Sequence, residues 1–285
     1  MFRLVGVLAA LLALEALGPR HVAGDGTSDE FLGISFVVDC GYSHRAADDP
    51  IVFPNVPRAS HDHSFFGNRS TNAFSTADTL ENGRTLCGRR ADRSAYWVPT
   101  LYADGIAVTP LKAAVYYRRR TTSDVQPFPK GLRMIAGDPT ATAPQGIERV
   151  FWNCKPDDPH EPELPVCPVD QDHALRLHVD FPECWDGVHL DSADHRSHMA
   201  YAAGGECPVT HPVAVPSLML VVSYPVGGAG RFAYSSGSID SGHADTIVAW
   251  RGRALDRLVR RCLNGRLKCD RGNGASARQP TRSFK

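Results

Sequence analysis

Three short stretches of this chain gather the side chains that hold metals or move protons. Residues 60–68 read SHDHSFFGN; if this segment is extended, His61 and His63 project to one face and can set two imidazoles on one cation. A second stretch runs from Cys184-Trp185-Asp186 to Asp191 and on through Asp194, His195 and His198, offering oxygen and nitrogen donors or an acid–base set. The third is His243-Ala244-Asp245. One reading is a divalent ion, zinc or copper, held by His61, His63, His195 and His198; catalytic zinc takes three protein donors and keeps a position for water. The familiar His-Glu-x-x-His spacing is absent. Two other readings stand beside it. In one, His61, His63, Asp194, His195, His198 and His243 form a metal-free catalytic acid–base site, since imidazole titrates where such chemistry works. In the other, the same residues hydrogen-bond to each other and to backbone and pin long loops.

A fourth stretch, 130–138, contributes Arg133 and Asp138. Together with Tyr96, Trp97, Trp185 and Asp186 they form a candidate substrate-binding set, aromatic faces for sugar rings and polar groups for hydroxyls. The bland alternative for the aromatics is core, where large rings dominate burial. Asn68-Arg69-Ser70 is a glycosylation sequon. Glu183 and Asp186 are a carboxylate pair, but a glycosidase needs a spatial separation that sequence proximity does not supply. No Gly-x-Ser-x-Gly elbow and no phosphate loop occurs.

The elements that must position these residues are mostly strands. Short β-branched or aromatic runs bounded by Gly, Pro and Asp predict strands over 31–39, 94–103, 111–118, 131–136, 147–154, 175–181 and 213–224. An apolar stripe with helical period predicts one amphipathic helix over 245–263, closed by Asn264-Gly265. The expected fold is mainly β, a sandwich or jelly-roll-like arrangement with long loops, one C-terminal helix and disulfide stabilisation. Residues 25–269 read as one domain, and 270–285 as a disordered basic tail.

Residues 1–24 have the layout of a secretory signal peptide: Arg3, then an apolar run to Leu17, then small residues. The mature chain is expected outside the cell, with no membrane anchor after cleavage. Eight cysteines agree, and pairing sequence neighbours gives Cys154–Cys167, Cys184–Cys207 and Cys262–Cys269, leaving Cys40–Cys87. Lys and Arg number 31, as do Asp and Glu, so there is no overall basic surplus and nucleic acid is not an expected partner.

Several long blocks carry a resemblance: 61–67 (HDHSFFG), 94–102 (SAYWVPTLY), 128–138 (FPKGLRMIAGD) and 181–201 (FPECWDGVHLDSADHRSHMAY). In this order, over about residues 36–262, they resemble a secreted domain-of-unknown-function family of actinobacteria and filamentous fungi. Fungal members often carry an added WSC carbohydrate-binding module, and this chain looks like the stand-alone form. The resemblance names no reaction. The family's wall-associated company implies a place at the cell envelope and a polysaccharide or cell-wall glycan partner, whether as a carbohydrate-active enzyme, a non-catalytic binder or a structural wall protein. The remaining alternative is a metal-binding extracellular protein.

Overall fold

Alternation of inward and outward side chains organises the architecture. The structure, a computed structural model, describes residues 33–168, 170 and 174–269. The expected signal peptide and basic tail lie outside the described residues. Nine antiparallel strands form one sheet: β1 (Ser35–Ala46), β2 (His63–Gly67), β3 (Ala95–Pro99), β4 (Lys112–Arg118), β5 (Arg133–Gly137), β6 (Val150–Asn153), β7 (Leu175–Asp180), β8 (Ser217–Tyr224) and β9 (His243–Ile247). Their order is β5-β9-β3-β2-β1-β4-β8-β7-β6, curled until the sheet nearly closes as a barrel. The mainly β class, the long loops, the C-terminal helix and the disulfides are as expected. The sheet is one curled surface.

Its concave side is filled by Phe36 and Val38 of β1, Val115 and Tyr117 of β4, Leu218, Leu220 and Val222 of β8, and Leu177 and Val179 of β7. A period of two puts every second residue there. Tyr96 closes this core with a buried network. Its hydroxyl donates to Asp92 Oδ2 at 2.8 Å and lies 2.6 Å from Tyr117 Oη, which accepts from Trp250 Nε1 at 3.0 Å. Burial of large rings drives the packing, and the hydrogen bonds keep their polar ends from being stranded.

On β2, β3, β5 and β9 the convex side is buried too. Phe65, Trp97, Ile135 and Ile247 pack there under Ile51 and under Leu80 of helix α1 (Ala77–Asn82), whose start is capped by Thr76. These strands therefore carry a core on one face and a second covered layer on the other. That second layer positions the site.

Helix α2 spans only Ala254–Leu258 and continues as a π-helical turn, Val259–Leu263. The helix predicted from residue 245 starts nine residues late, because 243–247 is strand β9. Thr246, Ile247 and Val248 are β-branched and suit a pleated surface. Gly252, at φ +57°, then breaks the path before the helix begins. The predicted strand over 213–224 is divided: Val213–Ala214 joins a small sheet with Cys184–Trp185 and Met199–Ala200, and β8 starts after Pro216. All four disulfides pair as sequence neighbours suggested: Cys40–Cys87, Cys154–Cys167, Cys184–Cys207 and Cys262–Cys269.

Candidate metal centre

Strand β3 lies between β2 and β9, and its register brings two histidines together. His63 is opposite Pro99. Asp245 is opposite Trp97 on the other side, so His243, two residues earlier, is level with the same proline. Both imidazoles rise from the convex face, with ring centroids 5.9 Å apart. His61, in the segment leading into β2, completes a triangle at 4.3 Å from the His63 ring and 5.2 Å from the His243 ring. Between them Asp62 turns the other way, accepting from Tyr102 Oη at 3.0 Å, as alternation requires. One ring nitrogen of each histidine lies within 4.8 Å of the other two.

Backbone carbonyls fix which nitrogens meet. His63 Nδ1 donates to the Asp48 carbonyl at 3.0 Å, and His243 Nδ1 to that of Ser241 at 2.9 Å. With Nδ1 occupied, each ring presents the Nε2 lone pair, and carbonyl bonds of this kind orient metal-ligating imidazoles. His61 Nε2 and His63 Nε2 are buried without a hydrogen-bond partner among the described residues. Leaving such an atom unpaired costs about 1–3 kcal/mol. Burial drives all three histidines toward the neutral form: His63 lies well below the usual range, with the neighbouring imidazoles adding to the effect, and His243 is lowered to about 3. Neutral imidazole is the form that binds metal.

A carboxylate joins them. Asp245 is fully buried, its Oδ2 has no hydrogen-bond partner among the described residues, and that atom lies 3.9 Å from His243 Nε2. Burial, reinforced by nearby Asp49, holds this carboxyl well above the ordinary range, while Arg196 acts in the opposite sense. Three imidazoles and one carboxylate suit zinc or copper; calcium and magnesium prefer all-oxygen sets. Gly137 of β5 permits the close packing: at φ +79°, a Cβ there would lie 2.6 Å from the Gly242 carbonyl oxygen and 2.9 Å from His243 Cα.

The 186–198 stretch reaches the same part of the molecule but does other work. Arg196 Nη2 donates to the Gly137 carbonyl at 2.8 Å, clamping the loop on β5. His195 Nδ1 bonds Asp191 Oδ1 at 2.9 Å, and Asp191 Oδ2 holds Arg133 at 3.1 Å. His198 uses both ring nitrogens, on Ser192 Oγ at 2.9 Å and the Arg133 carbonyl at 2.7 Å. The cluster of ring nitrogens is thus His61, His63 and His243; His195 and His198 are not in it, because their bonds to Asp191, Ser192 and the Arg133 carbonyl fold the loop and fasten it to β5. Asp194 Oδ1 accepts from Ser192 Oγ, the backbone of Arg196 and Ser197, and Ser197 Oγ, which pull its carboxyl far below the usual range. It is a loop organiser.

The proposed substrate-binding residues are scattered. Tyr96 sits inside the barrel and Trp97 under the convex layer, both at 0% exposure, so neither offers a face to a sugar. Asp138 bonds Thr140, Asp186 accepts from the backbone of Val188 and His189, and Trp185 Nε1 donates to the His189 carbonyl at 2.7 Å. Of this set Arg133 alone lines an open cleft of about 370 Å³, together with Asp78, Lys130, Leu190, Asp191 and Ile247. The sequon is closed in the fold: Asn68 is fully buried and its Nδ2 donates to the Leu80 and Arg93 carbonyls. Asp245 stood in the third stretch but was assigned no role in the site. The period-two series His243, Asp245, Ile247 was its signal, masked by the expected helix.

Fold and site together define a disulfide-tied, mainly β domain of the kind that persists in an oxidising, extracellular setting, with a three-histidine donor set under its convex face. The chain belongs to the family described as Domain of unknown function (DUF1996), whose model matches residues 49–250 and so takes in all three histidines and Asp245. No curated protein and no solved structure matches it. Among the described residues no helix is long and apolar enough to cross a membrane.

Proposed function

We propose that this protein is a secreted domain that binds a transition-metal ion, zinc or copper, through His61, His63 and His243. The observation that carries this reading is the buried, unpartnered Nε2 of His61 and His63 beside a His243 ring turned toward them by its own carbonyl bond. Among the described residues these atoms have no partner; a cation would make each a ligand, and carbonyl bonds already orient His63 and His243 for it. Asp245 is the available fourth donor. If it ligates, a tetrahedral site closes; if it remains outside, a three-histidine zinc site keeps a position for water or substrate. Secretion is proposed from the N-terminal sequence and the four disulfides.

The test is metal content by plasma mass spectrometry on protein purified without a histidine tag, beside zinc and copper titrations of chelator-treated protein followed by melting temperature. About one ion per chain, lost in His61→Ala and His243→Gln and retained in His195→Ala, is the expected result. No retained ion and no shift in melting with either metal would refute the reading.

A further inference from the structure

The charges of this chain balance overall, yet they are unevenly placed. Residues 84–93 and 251–268 carry four and seven Lys or Arg respectively, against Asp92 and Asp256 as the only acids. Both acids are already engaged: Asp92 is fully buried and bound by Tyr96 Oη and the Ser94 N–H, and Asp256 lies 3.3 Å from Arg253.

These two segments form the walls of a groove of about 940 Å³, lined by Arg89, Arg90, Arg257, Arg260 and Arg261, with Trp250 at its base. The fold holds the walls firmly. The first is tied to β1 by Cys40–Cys87; the second is closed on itself by Cys262–Cys269, and the Cys269 N–H donates to the Ser35 carbonyl of β1 at 2.7 Å. Backbone bonds from Arg93 N to the Ala249 carbonyl and from Arg251 N to the Ala91 carbonyl join them. The Arg89 guanidinium lies over the Phe36 ring at 5.9 Å, and burial has stripped part of its hydration. Arg257, Arg260 and Arg261 are exposed, and their side chains make no hydrogen bond or ion pair among the described residues. Arg257, Arg260 and Arg261, gathered at one concave surface without an ion-pair partner among the described residues, raise a positive potential there and concentrate anions.

We infer that this groove binds acidic polysaccharide, a glycan carrying carboxylate or sulfate groups along its chain. Guanidinium forks match both anions in a bidentate way. The volume exceeds what one small anion fills, and the spread of five arginines suits repeating charges. Bases of single-stranded nucleic acid need exposed aromatic platforms. Trp250, the only aromatic lining residue, is 6% exposed and donates its Nε1 to Tyr117. The chain's own end is no electrostatic complement, because residues 270–285 hold four further Lys or Arg and a single Asp. Trp250 of the groove lies beyond the end of β9, and the groove's lining shares no residue with the histidine cluster.

The test uses the full chain in affinity electrophoresis and calorimetry against polygalacturonate (carboxylate), heparin (sulfate), neutral β-glucan and single-stranded DNA at several salt concentrations. Expected are binding to one or both acidic glycans and none to β-glucan. Affinity should weaken steeply with salt, as exchange of counterions requires. The exposed pair Arg257→Ala/Arg261→Ala should lose more than tenfold in affinity with unchanged melting temperature, and the distant control Arg231→Ala should change nothing. Polygalacturonate preferred over heparin assigns a carboxylate ligand; the reverse assigns sulfate. Equal affinity in the double variant, absence of acidic-glycan binding, or tighter binding of DNA than of either glycan overturns the inference.

Discussion

His63 and His243 stand on strands that are not paired with each other, yet their rings lie 5.9 Å apart at the level of Pro99 on the strand between them. Proline presents a compact ring at that level, and the two imidazoles close over it. This relation turns a scatter of histidines into a donor set.

Asp245 separates two versions of the site. Asp245→Asn preserves shape while removing the carboxyl group whose Oδ2 lies 3.9 Å from His243 Nε2 and could ionise on a metal. If the carboxylate ligates, zinc affinity measured by chelator competition should fall by about 10-fold or more, in the range seen when groups supporting a metal site are lost. A change under twofold would place Asp245 outside the coordination sphere.

Gly137 sets how closely β5 can approach His243. Gly137→Ala would force a Cβ to 2.6 Å from the Gly242 carbonyl in a left-handed conformation. Expected are a loss of about 1–3 kcal/mol of stability in urea unfolding and weakened metal binding. Wild-type stability with weakened metal binding would show that the strand end shifts locally without cost to the fold.

Glu183 makes stability fall as pH rises. Burial, aided by Asp180 and opposed by Arg120, Arg118 and the Ala202 N–H, raises its pKa from 4.5 to about 7. The unfolded chain therefore gives up this proton first. The stabilising contribution is complete below pH 4.5 and is lost as pH climbs to 7, by about 3 kcal/mol in all. Asp92, raised to about 6, acts in the same direction. His178, lowered to about 3, acts oppositely and removes stability as pH falls below 6.5. Urea unfolding at pH 5 and pH 8 should show a smaller decline for Glu183→Gln than for the wild type; parallel declines would contradict this assignment.

Tyr96 supports the fold from inside the barrel. Tyr96→Phe leaves Asp92 Oδ2 without its 2.8 Å donor and should cost about 1–3 kcal/mol in urea unfolding. Metal content and glycan affinity should stay at wild-type values. A specific loss of glycan binding with normal stability would instead restore Tyr96 to a surface role.

Much of the architecture was legible because it is local. β-branched and aromatic runs bounded by Gly, Pro and Asp marked β1, β4, β7 and β8, and cysteines near in sequence proved to be partners. β2 and β9 were harder to read. HSFFG and HADTI bury polar and apolar residues on both faces, so neither shows the apolar–polar alternation of a half-buried strand. The apolar spacing of 247–263 then imitated a helix across a strand, a link and a true helix.

Sequence alone determined that this chain builds a disulfide-tied β fold, and its metal reading grouped His61 and His63 with His195 and His198. Tertiary structure decided which residues share a site. His243 joined His61 and His63 because β3 intervenes in a fixed register, while His195 bonds Asp191 and His198 bonds Ser192 and the Arg133 carbonyl of β5. It also placed Tyr96 inside the barrel and Trp97 outside it, although they are adjacent in the chain. Strand order is a long-range property, decided by which faces can be buried together, and no local spacing encodes it.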